Sequence, residues 1–303
     1  MRLLGLLRAV QEHGGAGGGP DLQGMLMHHL ADGKEVEFTF YGHGFTLDFS
    51  RLAIPPIHIG SFTLDLSPTK HVFFAILSAL LLLAVFIPIG RAMQSRYRDH
   101  APTGFANAME AIIVFFRDEV VRRSIGHGAD AYTPYILSLF FFVLTMNLFG
   151  LVPWGASATG NLSVTGALAI VSFFVVEISG MMSLGWKGYA RTIFYAPPGL
   201  NPVAAAIMLF ILTPVEFLSK LTKPFALMIR LFANMTAGHT LVLSLLGMIF
   251  IFANVAIGRW AIAGASVGMV CAFMLLEIFV AFLQAYIFAM LTAVFIGLIR
   301  HAH

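Results

Sequence analysis

The sequence predicts an all-α membrane protein with five membrane helices, two of them unusually long, and an amphipathic helix at the cytoplasmic face. Hydrophobic residues make up 58% of the 303 residues and charged residues only 11%. Mean hydropathy is +0.86. Apolar segments long enough to cross about 30 Å of hydrocarbon as a helix recur after residue 70. The net charge of +3 gives no indication of nucleic-acid binding.

Two regions are expected. Residues 1–70 form an extramembrane, partly flexible region, and residues 71–303 form the membrane-embedded domain. The first residues are a poor signal peptide because Arg8 interrupts a short apolar stretch. The glycine cluster within 14–19 is typical of a flexible linker. Residues 21–70 alternate polar and apolar groups, which is compatible with short strands or with an extended arm.

The predicted membrane spans are 71–90, 132–152, 164–184, 202–252 and 261–299. The loop between the first two spans is rich in arginine, whereas residues 153–163 carry no charge. By the positive-inside rule the first loop is cytoplasmic and the second is outside. The amino terminus is therefore expected outside and the carboxyl terminus in the cytoplasm, with Arg259 as a mild exception.

Within the basic loop, apolar residues recur at helical spacing from Phe105 to Val120. The pattern predicts an amphipathic helix on the cytoplasmic face. A helix packed beneath other subunits fits the pattern equally well.

The last two segments are too long for ordinary spans. A helix from Pro202 to Gly247 would be about 70 Å long, over twice the hydrocarbon thickness. Pro214 and Pro224 permit bends, so the segment either breaks into two spans or lies steeply tilted. Tilt is favoured because no polar turn is long enough to reverse the chain.

Arg230 lies in the apolar segment FALMIRLFANMTAGHTLVLSLLGMIF, and no acidic residue occurs between Glu216 and Glu277. A guanidinium stays charged at ordinary pH, and near the middle of a bilayer it costs about 2.5–3.5 kcal/mol on insertion scales. An arginine that snorkels to a headgroup is expected nearer a helix end. The position therefore indicates a mechanism that needs a fixed positive charge.

Other polar residues accompany Arg230 on the same long segment. On a continuous helix Glu216 lies about 21 Å away and within about 40° of the same face. Asn234 is one turn beyond Arg230, and His239 is about 180° round the helix. Lys220 and Lys223 are interpreted as contacts to cytoplasmic headgroups.

The last segment adds Glu277 and Gln284, about two turns apart. Glutamate and histidine can take and release protons near neutral pH when their surroundings shift them. Singly, His239 or Gln284 could instead be an ordinary interhelical hydrogen-bonding residue. A secondary transporter would be expected to show internal repeats or paired interrupted helices. A metalloenzyme would need ligands at a spacing such as H-E-x-x-H. Neither pattern is found, so no metal or other cofactor is predicted.

Three segments resemble subunit a of the F-type ATP synthase: LSKLTKPFALMIRLFANMTAGH, EIFVAFLQAYIFAMLTAVFIGL and TMNLFGLVP. The similarity covers about residues 70–300, and the motif R-L-F-x-N-x-x-A-G is highly specific. The resemblance implies two long tilted helices that face a rotating ring of c subunits. It also implies contact with a b-subunit peripheral stalk, other synthase subunits and membrane lipid, and a non-catalytic role in proton translocation.

The resemblance also assigns the polar residues. Arg230 corresponds to the essential stator arginine, and Glu216 to the acidic position of the cytoplasmic half-channel. His239 and Glu277 correspond to positions that line the half-channel from outside, with Gln284 and Asn234 on the same proton path. Some relatives carry the histidine and the acid exchanged. The long amino-terminal region favours a bacterial inner membrane, with the mitochondrial inner membrane as the alternative.

Overall fold

The computed structural model describes residues 35–40, 43–48, 57–59, 62–64, 69–95, 101–152, 157–194, 201–251 and 259–301. Five helices in these ranges are long and apolar enough to cross a membrane. They confirm the predicted membrane fold. The glycine cluster within 14–19 lies outside the described residues, and so does most of the segment between the last two predicted spans, 253–260.

Two antiparallel hairpins precede the first membrane helix. Strand β1 (Glu35–Phe40) pairs with β2 (His43–Asp48), and β3 (Ile57–Ile59) pairs with β4 (Phe62–Leu64). The sequence left short strands or an extended arm open for residues 21–70, and the described parts of that region form short strands.

The first helix, α1 (Lys70–Ser95), continues beyond the predicted span. The helix can continue through Arg91 at low cost, because each added residue forms one hydrogen bond and no new nucleation step is needed. The predicted amphipathic helix begins as α2 (Phe105–Phe115) and then widens into a π-helical segment, Phe116–Arg122.

The widened segment packs on the protein's own membrane helices. Phe116 and Val120 are buried, and the Phe116 ring lies 4.3 Å from that of Phe140 and 5.9 Å from that of Tyr286, between centroids. Phe105, in contrast, is 62% exposed. Within the described part of the chain, the buried residues of the predicted amphipathic helix thus lie in its second half.

Ion pairs tie together the basic segment that follows Phe116. Arg122 bonds both Asp118, at 2.8 Å, and Asp130, at 2.9 Å. The hydrogen bond from Arg117 holds the pKa of Asp118 below its usual value, and the bond from Arg122 does the same for Asp130. These carboxylates therefore remain charged partners of the arginines at neutral pH.

The next two helices are α3 (Thr133–Leu151) and α4 (Leu162–Ile193), and they match the second and third predicted spans. Within α4 the regular helix is interrupted at Gly185, where φ is 70° and ψ is 166°. This backbone region is essentially restricted to glycine. The interruption falls directly after the predicted end of the third span.

The last two helices are α5 (Pro202–Ile251, 50 residues) and α6 (Arg259–Arg300, 42 residues). Both are continuous, so the alternative in which α5 breaks into two spans is wrong, even though Pro214 and Pro224 lie inside it. Steep tilt in the membrane stays a prediction.

The chain divides into two compact units. The first, which we call the His239 unit, comprises Leu144–Val164, Leu231–Leu283 and the described part of Met1–Leu80. The second, which we call the Glu216 unit, comprises Leu81–Val143, Thr165–Arg230 and the described part of Gln284–His303.

Candidate functional site

In the His239 unit, α5 and α6 bring together two residues that the sequence predicted as partners. Nδ1 of His239 lies 3.6 Å from Oε1 of Glu277, with side-chain exposures of 25% and 15%. A small rotation of either side chain would close this distance to a hydrogen bond. The pair can therefore share a proton while both groups remain partly accessible.

Gly238 allows this close approach. A Cβ atom built on Gly238 would lie 2.1 Å from Oε1 of Glu277, well inside van der Waals contact. The missing side chain thus provides the space that the carboxylate occupies. Any larger residue would force the Glu277 carboxylate to move.

A buried hydrogen-bond network lies in the same unit. The Thr159 hydroxyl donates to Oδ1 of Asn147 at 2.6 Å and lies 2.7 Å from the Ser157 hydroxyl, which must therefore donate to it. The Asn147 amide donates to the Ala281 carbonyl at 3.3 Å, and Nδ1 of His71 donates to the Ser157 carbonyl at 3.0 Å. These bonds fix the segment after α3 against α1 and α3, and they fix α3 against α6.

The network lies close to the His239–Glu277 pair. A Cβ atom on Gly150 would meet Cβ of Ser157 at 2.6 Å and both Cε1 and Nε2 of His239 at 3.1 Å. The imidazole and the network therefore contact the same residue of α3. Sequence reasoning quoted the segment around Asn147 but did not predict this network.

Arg230 is exposed on α5. Within the part of the chain that the structure describes, its guanidinium makes no ion pair. Its neighbours Phe225 and Ile229 are also exposed, at 58% and 38%, whereas Leu227 is buried at 4%. Arg230 is thus an exposed charge, flanked by apolar residues, on a surface of α5 that the described part of the chain leaves uncovered.

In the Glu216 unit, α4, α5 and α6 line a partly open cavity of about 230 Å³. Four ionisable side chains line it, which is unusual for a membrane domain with so few charges. They are Glu177, Glu216, Lys220 and Lys223. The predicted cytoplasmic acid, Glu216, therefore borders a space with several charged groups.

Lys220 is held inside this cavity. Its ammonium lies 3.4 Å from Oε2 of Glu177, with side-chain exposures of 11% and 10%. It also lies 3.5 Å from the Thr192 hydroxyl and 4.4 Å from the centroid of the Tyr189 ring. The interpretation of Lys220 as a headgroup contact is wrong, because a buried carboxylate binds its charge.

Lys223 differs from Lys220. It is exposed, and its ammonium lies 5.3 Å from the centroid of the Phe295 ring. A lysine near a helix surface can stack its stem on apolar groups and keep its charge accessible. Its interpretation as a headgroup contact stays a prediction.

The interruption in α4 brings a second partner, Tyr189, to Glu177. We call Glu177, Tyr189 and Lys220 the Glu177 site. In a straight helix Tyr189 would lie about 18 Å along the axis from Glu177. Because the backbone turns at Gly185, the Tyr189 hydroxyl instead donates a hydrogen bond to Oε2 of Glu177. The sequence analysis paired neither Tyr189 nor Lys220 with Glu177.

Two further predicted residues are Asn234 and Gln284. Asn234 on α5 and Gln284 on α6 are half-buried. For neither does the described part of the chain supply a hydrogen bond from its side chain. Among the described residues, no group of three potential metal ligands comes together.

The sequence matches the family model described as ATP synthase A chain over residues 72–297. Relatives named "ATP synthase subunit a" include one from Chloroherpeton thalassium, 42% identical over 90% of this chain and 75% of its own length. Another, from Chlorobium phaeobacteroides strain BS1, is 43% identical over 94% and 77%.

A third, from Anaeromyxobacter dehalogenans, is 40% identical over 97% of this chain and 76% of its own length. These bacterial relatives and the five membrane-capable helices support a bacterial membrane protein. Because the family match covers most of the membrane domain and the relatives align along almost the whole sequence, this chain belongs to the ATP synthase A chain family.

Proposed function

We propose that this chain is the proton-channel stator subunit of an F-type ATP synthase. It provides two offset half-channels that load and unload carboxylates on a ring of c subunits, and so couples proton translocation to rotation and ATP synthesis. Family membership supports its place in ATP synthesis and proton transport. The observation that carries the mechanism is that Arg230 is exposed among apolar residues of α5 and makes no ion pair with the residues that the structure describes.

The outer half-channel uses His239, Glu277 and Gln284, together with Asn234 near the ring. An imidazole can accept a proton on one nitrogen and release one from the other, and a nearby carboxylate can take it. The 3.6 Å separation in the His239–Glu277 pair supports this role. A c-ring carboxylate that receives the proton becomes neutral and can face lipid at lower cost.

The cytoplasmic half-channel uses Glu216. After nearly a full turn, the ring carboxyl reaches this side, releases its proton and becomes charged. The cavity that Glu216 lines supports a polar route in an otherwise apolar domain. Each proton that crosses supplies about 2.3 kcal/mol per 100 mV of membrane potential.

Arg230 separates the two routes. Its charge attracts the ionised ring carboxylate and favours release of the proton. The same charge repels a proton that would otherwise pass directly between the half-channels. The chain makes and breaks no covalent bond of a substrate, so it is a translocating subunit and not itself an enzyme.

The exposed apolar surface of α5 fits contact with the c ring and with lipid, and a b-subunit stalk would hold the chain stationary. The proposed location is the inner membrane of a bacterium. The amino terminus lies outside and the carboxyl terminus in the cytoplasm. Bacterial relatives favour this location over a mitochondrial one.

Glu216→Gln tests the cytoplasmic route. We expect ATP-driven acidification of inverted vesicles to fall at least about tenfold, since a positioned proton-transfer group contributes about 10²–10⁴-fold. Passive proton leak stays at the wild-type level because Arg230 is intact. Glu110→Gln, on α2 outside the cavity, serves as the matched control and pumps normally. Normal pumping by Glu216→Gln, or a large leak, would contradict the assignment.

A further inference from the structure

In the Glu216 unit, two carboxylates are close enough to be ion-pair partners of Lys220. Glu216 is four residues earlier on α5, and a glutamate at this spacing is well placed to pair with a later lysine. Glu177 reaches the same ammonium from α4. In the described part of the chain, the ion pair of Lys220 is with Glu177 and not with Glu216.

Three contacts hold Lys220 on the Glu177 side. The carboxylate lies 3.4 Å from the ammonium, the Thr192 hydroxyl lies at 3.5 Å, and the ring of Tyr189 lies beneath the charge at 4.4 Å. Tyr189 also donates its hydroxyl hydrogen to Glu177. A buried ion pair compensates for lost solvation only when further hydrogen bonds satisfy its atoms, and these contacts meet that condition.

We propose that Glu177 is a positioning residue of the cytoplasmic half-channel: it holds the Lys220 ammonium away from Glu216, which leaves Glu216 free to exchange protons. The inference rests on the proposed role of Glu216 as the proton-exchanging group. It assigns Glu177 a role through Lys220 and not through contact with the ring carboxyl.

The ionisable groups around the cavity determine which carboxylate Lys220 would bind if Glu177 were removed. From α4 the ionisable groups are Glu177 and Tyr189, and from α5 they are Glu216, Lys220 and Lys223. The lining residues of α6 are Thr292, Phe295, Leu298 and Ile299, none of which titrates. Without Glu177, the carboxylate at the best spacing for Lys220 is therefore Glu216.

The experiment measures ATP-driven acidification of inverted vesicles that contain the whole synthase, as a function of the outer pH. In this direction protons are taken up from the cytoplasmic side. Each variant rate is divided by the wild-type rate at the same pH, which removes the pH dependence of ATP hydrolysis. A lysine paired with Glu216 would favour its charged form, so uptake would fail at a lower pH.

We expect Glu177→Gln to move the alkaline limb of the profile towards acid by about one pH unit, the low end of the shift caused by an adjacent opposite charge. The double variant Glu177→Gln/Lys220→Gln should return the limb to its wild-type position, because the released ammonium is gone. Glu177→Gln/Lys223→Gln is the matched control. It removes a positive charge from the same cavity but leaves Lys220 free, so the limb should stay shifted.

An alkaline limb that does not move in Glu177→Gln would overturn the inference. A limb that stays shifted in Glu177→Gln/Lys220→Gln would also overturn it, because the role of Glu177 would then be purely structural. If Glu177→Gln fails to assemble, Lys220→Gln decides. The alkaline limb of Lys220→Gln should stay at the wild-type position, whatever the pumping rate. A shift of that limb to higher pH would mean that the Lys220 ammonium stabilises the charged form of Glu216 in the wild type, which would overturn the inference. If Glu216→Gln itself pumps normally, the proposed half-channel fails instead.

Discussion

His239 and Glu277 form a contact between two helices, and such a contact has a measurable coupling energy. Groups in contact typically couple by about 0.5–3 kcal/mol, whereas distant groups add within about 0.5 kcal/mol. The 3.6 Å separation of their polar atoms places the pair in the first class. A proton relay needs one group that accepts a proton and one that donates it, and either helix can supply either group.

We therefore predict that the exchange His239→Glu with Glu277→His retains more pumping than the two single variants imply if they act independently. Proton-pumping rates of the four members of this double-mutant cycle, at equal assembly, give the coupling. Strict additivity would mean that the two residues act separately and that the shared relay is wrong.

Gly238 offers a second test of the same pair. In Gly238→Ala the new methyl group would displace the Glu277 carboxylate, since the unoccupied position is 2.1 Å from Oε1. Alanine is intrinsically better than glycine in a helix by about 1 kcal/mol, so helix stability alone would not lower activity. We predict that pumping falls several-fold while the assembled amount stays normal.

The matched control for Gly238→Ala is Gly268→Ala on α6, where a Cβ atom meets nothing within 4 Å. That variant gains the same helix propensity without displacing a side chain. Equal pumping by the two variants would show that the position of the Glu277 carboxylate is unimportant.

At the level of helices, the interruption of α4 at Gly185 builds the Glu177 site. Alanine at φ 70° and ψ 166° would cost about 1–3 kcal/mol. We predict that Gly185→Ala separates Tyr189 from Glu177 and slows pumping. Gly90→Ala is the control, because it adds a methyl group to open space in α1. Wild-type pumping by Gly185→Ala would show that the interruption has no functional role.

Helix positions were largely predictable because each membrane span is a continuous apolar run of fixed minimum length. The continuity of α5 was also predictable, since the segment contains no polar turn. The π-helical widening at Phe116 was not, because it depends on how Phe140 and Tyr286 receive that ring. Local periodicity carries no information about such packing.

Across the whole molecule, the individual site residues were predictable from the cost of charge in an apolar environment. Arg230, Glu216 and Glu277 were conspicuous for this reason. Which carboxylate binds Lys220 was not predictable, because its partner is 43 residues away and the glycine interruption lies between them. The two polar clusters belong to different compact units.

The central claim is that Arg230 acts as a fixed charge on an uncovered helix face. Replacing it removes that charge, whereas lysine keeps a charge but loses the planar, delocalised fork. Arg91→Ala, at an exposed position near the carboxyl-terminal end of α1, is the matched control and should pump normally.

The most direct measurement is ATP-driven acidification of inverted vesicles that contain equal amounts of assembled synthase. The account predicts that Arg230→Ala abolishes acidification and that Arg230→Lys reduces it severely, while the complex still inserts. Acidification near the wild-type rate in Arg230→Ala would contradict the stator role.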